Sequence, residues 1–213
     1  MLRNPDLYRQ CLRDRRSFLC LVGVTLTGLI PHATNAQGPE AAGSVEEVKG
    51  DAFAEARAGR RTLERASPVF VSDQVGTGPV SRLKLRLGRD TTLQLGENVR
   101  LSVDRHLRDA GGEFTLGAGA MLFDRPAGGR PEPVRIRSSY GLIAVRGTRF
   151  FAGPSNAVFG VFVENGSVTV SSGGQQVVLR AGEGTDIREP GVRPTPPRRW
   201  GEARIRAALT SVS

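Results

Sequence analysis

The chain has 213 residues, 38% of them hydrophobic and 24% charged, with a formal net charge of +9, two cysteines and two histidines. That length holds one domain with a real core, and so few cysteines exclude a disulfide scaffold. The basic balance does not imply nucleic acid as a partner. Lysine occurs only at Lys49 and Lys84, and the arginines are scattered, many alternating with apolar residues as on the wet side of a strand.

Residues 1–36 read as an export signal rather than as fold. Five arginines stand against two aspartates before a short apolar run at residues 18–30, and the small residues Thr34 and Ala36 precede a cut before Gln37. The apolar run is too short for a spanning helix, which needs about 20 residues. Asp14-Arg15-Arg16-Ser17-Phe18-Leu19 matches the twin-arginine export pattern, with an ordinary secretory signal as the alternative. Cleavage after Ala36 removes Cys11, Cys20 and His32, lowers the net charge to +6, and leaves His106 as the sole histidine.

After a short lead at residues 37–42, the chain is punctuated like an all-β domain. Leu83, Leu85 and Leu87 alternate with Lys84 and Arg86; Leu93 and Leu95 flank Gln94; Val99, Leu101 and Val103 alternate with Arg100 and Ser102. Period two places one side of each strand on a core and the other in water. Residues 134–137, 142–147, 158–163, 167–170 and 176–187 continue the pattern, with Asn165-Gly166 as a hairpin signal. The Ala-rich stretch at residues 51–70 is broken by Gly59 and Pro68 and reads as strands with an exposed loop. Residues 189–199 are Pro-rich and predict an extended linker. Residues 200–213 predict a short amphipathic helix whose Trp200, Arg204, Ile205 and Leu209 either meet a partner or fold back to cap the domain.

The ordered motifs resemble the FecR protein domain family. They begin with "GSVEEVKGDAFA" and a threshold-like segment ending in Thr77-Gly78, followed by a strand–turn–strand with Leu-x-Leu-Gly. The more specific half is "VRIRSSYGLIAVRGTRFFAG", "VFVENGSVTV" and "VVLRAGEGTDI". Together they cover residues 43–188. The resemblance implies a single domain of short strands in a β-helix-like or β-roll coil. It also implies a structural signature at Val145, Arg146, Gly147, Thr148, Phe150, Glu164, Gly166, Val168, Gly182 and Glu183. Read from the residues alone, Arg146-Gly147-Thr148 is either a structural corner or a phosphate-cradling nest, but it lacks the glycine run and following helix of such a cradle.

Little here points to catalysis. His106 has Asp104 and Asp109 nearby in sequence but no Gly-x-Ser-x-Gly elbow, and one histidine is too few for a zinc site. Glu46, Glu47, Asp124, Glu164, Glu183 and Asp186 show no spacing that singles out an acid–base pair. The expectation is a non-enzyme without a cofactor, exported to the periplasm, with no transmembrane segment in the mature chain and an envelope protein as partner. Residues 1–17 are too short for the sigma-factor-binding helices that the family's membrane regulators carry before their span, so a stand-alone sensor or adaptor is expected. The alternatives are a carbohydrate- or cell-wall-binding module, for which only Tyr140 and Trp200 are polar-edged platforms, and a small hydrolase.

Overall fold

A computed structural model of the protein describes residues 40–105, 112–126 and 134–213. It resolves the alternating pattern into two nine-stranded sheets. The first sheet takes β1 (Ala41–Lys49), β4 (Pro68–Phe70), the pair β6 (Arg82–Leu87) and β7 (Thr91–Leu95), and β10 (Met121–Asp124). It is completed by β13 (Arg149–Ser155), β14 (Val158–Asn165), β17 (Glu183–Ile187) and β18 (Arg198–Arg199). The second sheet takes β2 (Ala52–Ala56), β3 (Gly59–Thr62), β5 (Gln74–Thr77), β8 (Arg100–Arg105) and β9 (Gly112–Ala118). Strands β11 (Val134–Ser138), β12 (Gly141–Val145), β15 (Ser167–Ser172) and β16 (Gln175–Arg180) finish it. One helix, α1 (Glu202–Thr210), follows.

The all-β class is as expected, and the chain changes sheet after every one or two strands. The β-helix-like form of the coil is not confirmed by the pairing, since a parallel β-helix stacks its strands in parallel. Here neighbours pair antiparallel except β9 with β11, which run parallel from Val134 opposite Gly112 to Ser138 opposite Leu116. The exception has a topological cause. Between β9 and β11 the chain visits the first sheet once, as the single strand β10, whereas a hairpin visit would have reversed its direction again.

The core lies between the sheets. Leu83, Leu85 and Leu87 on β6 meet Val75, Leu101, Val103 and Phe114 from the second sheet, all buried in one apolar cluster. Lys84 and Arg86 point outward and hold Glu46. A bulge at Glu46 sets two residues of β1 against one of β6, which brings its carboxylate between the two cations. The Lys84 hydrogen bond, opposed by burial and aided by Arg86, keeps the Glu46 carboxyl below its ordinary value.

A second, smaller apolar cluster covers the outer face of the first sheet. Leu122, Phe151 and Phe162 point away from the main core and pack against Trp200, Ala208 and Val212, with Ile205 and Leu209 at the margin. Residues 189–199, expected as a spacer, lie along β17. The Thr195 N–H donates to the Asp186 carbonyl at 3.0 Å, and the Asp186 N–H donates to the Thr195 hydroxyl at 3.0 Å. Their last two residues form β18 against Glu183 and Gly184.

Candidate functional site

The ten signature residues meet at one end of the two sheets. From β11 to β17, the hairpin turns fall at one end (residues 139–140, 156–157 and 173–174) and the passages between sheets at the other (146–148, 166 and 181–182). The signature occupies that crossover end. Val145 is buried and pairs with Val134 on one side and Val168 on the other. The chain then leaves the sheet through Arg146-Gly147-Thr148.

The corner is built from small residues and one hydroxyl. Gly147 has φ +58°, a left-handed conformation that side chains disfavour. Gly166, at φ +87°, lies so close that a methyl on it would come 2.6 Å from the Gly147 carbonyl oxygen. Thr148 is only 2% exposed, and its hydroxyl lies 2.9 Å from the Ser167 carbonyl and 3.1 Å from that of Arg146, bridging the two crossovers. Phe150, fully buried, packs on Phe123 with ring centroids 5.4 Å apart. At the third crossover, Gly182 (φ +83°) donates its N–H to the Val163 carbonyl at 2.8 Å, and the Glu183 carboxylate accepts the Arg180 N–H at 2.9 Å.

Beside the corner runs an ion network. The Arg149 guanidinium donates to Glu164 at 2.7 Å and to Asp124 at 2.8 Å, tying β10, β13 and β14 together. Burial disfavours the Arg149 charge, but these two carboxylates outweigh it and raise its pKa above the ordinary value. Asp124 and Glu164 were both candidate acids in the sequence; the structure joins them through an arginine that the sequence reading did not single out. Arg146 is exposed and has no ion-pair partner among the described residues. His106 lies outside the described residues. Among those described, no group of three or more histidine, cysteine or acidic residues is placed to hold a metal.

The four C-terminal candidates lie away from this corner. Trp200 is 7% exposed, stacked on Phe162 at 5.2 Å and edge-on to Phe151 at 6.5 Å. Its seat is made by glycines, since a methyl on Gly160 would come within 2.7 Å of the indole and one on Gly184 would collide with it. The Arg204 guanidinium lies 3.6 Å over the Trp200 ring and donates to Asp186 at 2.6 Å and to the Ser155 hydroxyl at 2.9 Å. Ile205 and Leu209 turn toward the same sheet face. Burial pushes the Asp186 carboxyl up, but Arg204, assisted by Arg198, holds it below its ordinary value. The sequence did carry a signal for this covered face. Residues 121–123, 150–152 and 159–163 are unbroken apolar runs, the mark of strands buried on both sides.

Fold and site together define a class: a two-sheet all-β domain in which the motif residues build a sheet-crossing corner. Within that class, residues 73–169 match the family described as FecR protein. The fold is shared with two crystal structures of a putative anti-sigma factor from Parabacteroides distasonis ATCC 8503, determined at 2.50 and 1.65 Å. Each matches at TM-score 0.55 and 13% identity over 64% of this chain. The match spans 63% and 64% of those chains. No curated protein matches.

Proposed function

We propose that the protein is a non-enzymatic FecR-like module of the cell envelope that senses or relays a signal by binding another envelope protein. The observation that carries this reading is the crossover corner. The signature residues hold three chain crossings in place, and Arg146 is left exposed and unpaired at their edge. The FecR match and the anti-sigma description of the fold neighbours support a regulatory role. In this reading residues 43–188 are the FecR-like domain, residues 1–36 deliver it to the periplasm by the twin-arginine route, and the mature chain acts there. Among the described residues no helix is long and apolar enough to cross a membrane.

The test is capture of a partner from the envelope fraction after mild crosslinking, with wild type and Arg146→Glu as baits. Arg146→Glu is expected to melt with the wild type, because an exposed unpaired charge contributes little to stability. A partner held by the wild type and lost with Arg146→Glu places binding at the corner. Equal capture by both baits moves the surface elsewhere on the domain, and repeated failure to capture any envelope protein overturns the reading.

A further inference from the structure

The hairpin end of the two sheets, opposite the crossover corner, opens into a cavity of ≈ 410 Å³. That is within the range of about 300–1,000 Å³ typical of small-molecule sites. One wall is aromatic: Tyr140 and Phe159 stack with centroids 4.5 Å apart and planes 6° from parallel. Another wall runs from Leu116 to Gly119 at the end of β9. Ser139 adds a hydroxyl and Arg188 a cation, and no aspartate or glutamate lines the cavity.

Two details set this cavity apart from a simple gap at a sandwich end. Arg188 is exposed and, like Arg146, has no ion-pair partner among the described residues, which leaves its guanidinium open to a ligand. The turn at the rim, Asn156-Ala157, has φ +53° and +60°. Such turns favour glycine at the second position, and an alanine held there is a local strain of the kind that gathers at binding sites.

We propose that this cavity binds an acidic sugar. The C–H face of a pyranose ring matches the aromatic wall, its hydroxyls match the Ser139 hydroxyl, and its carboxylate matches the Arg188 guanidinium. The site is separate from the partner surface proposed above and does not depend on it.

The experiment is calorimetric titration of the full-length protein with glucuronate, glucose and benzoate. Glucuronate is expected to bind, and glucose about tenfold or more weaker, because it lacks the charge-assisted hydrogen bonds to Arg188. Arg188→Gln is expected to remove that difference without moving the melting temperature, since the side chain is exposed and has no ion pair among the described residues. Tyr140→Ala is expected to weaken both sugars, with circular dichroism confirming that it folds. Absence of glucuronate binding at millimolar concentration overturns the proposal, as does binding that Arg188→Gln leaves unchanged. Benzoate binding as tight as glucuronate overturns the sugar assignment.

Discussion

Gly147 and Thr148 carry the corner for different physical reasons, and substitutions can separate them. Gly147 is needed for its φ of +58°, which costs a β-branched residue more than it costs asparagine. Gly147→Val is therefore expected to lower stability by about 1–3 kcal/mol, while Gly147→Asn retains most of it, as read by thermal melts. Equal losses in the two variants would mean that space, not backbone angle, is what the site requires. Thr148 is needed for its hydroxyl, because it reaches the carbonyls of two crossovers inside a buried corner. At the same scale, Arg149 shows why a listing of candidate acids could not find the network. Asp124 and Glu164 are 40 residues apart in sequence, and only the pairing of β13 with both β10 and β14 brings them to one guanidinium.

The helix α1 is the element whose placement changes most between sequence and structure. Nine residues of helix are marginal alone in water, so its stability comes from the sheet face it covers. Trp200→Ala is expected to cost about 3 kcal/mol, as removal of a large buried aromatic does. Deleting residues 200–213 uncovers Leu122, Phe151 and Phe162, and the truncated protein should melt earlier and aggregate. An unchanged melt with loss of a bound partner would instead give the segment to recognition. The acid limb checks the anchor. Because the folded pKa of Asp186 is depressed, its contribution is fully present above roughly pH 4, its unfolded value, and is lost as pH falls through the lower folded value. Asp186→Asn should thus be less stable than the wild type by a constant margin from pH 5 to 8. The margin should close as the pH drops below about 4, as measured by melting temperature across pH.

For the whole molecule, the main open question is where it works. The charged start, short apolar run and small residues before Gln37 lead to an expected mature N-terminus at Gln37, readable by mass spectrometry of envelope protein. Retention of residues 1–36 on that protein would overturn the cleavage. Arg15→Lys with Arg16→Lys should block export by the twin-arginine route, and unchanged export would assign the general secretory route. The same scale explains the two ends of the domain. The crossings after β12, β14 and β16 fall at the corner, whereas the crossing from β9 to β10 at Gly119-Ala120 lies at the hairpin end beside the cavity.

The sequence by itself determined the strands, and the family resemblance pointed to the corner. Period-two alternation at Leu83–Leu87 and Leu93–Leu95 is a local property, since neighbouring side chains must point to opposite faces whatever the sheet does. Gly147, Gly166 and Gly182 were legible for a related reason, because a left-handed backbone leaves glycine at the position. Three features were decided only by tertiary structure: the antiparallel two-sheet form, the cavity between Tyr140 and Arg188, and the seat of Trp200. Each depends on which strands become neighbours. The seat needs Gly160 and Gly184 on adjacent strands, opposite Asp186 and Phe162 respectively, and that placement follows from β14 lying against β17 rather than from any spacing along the chain. The parallel pair β9–β11 is of the same kind. It follows from one unpaired visit to the opposite sheet, a property of the path through space that no residue pattern within either strand encodes.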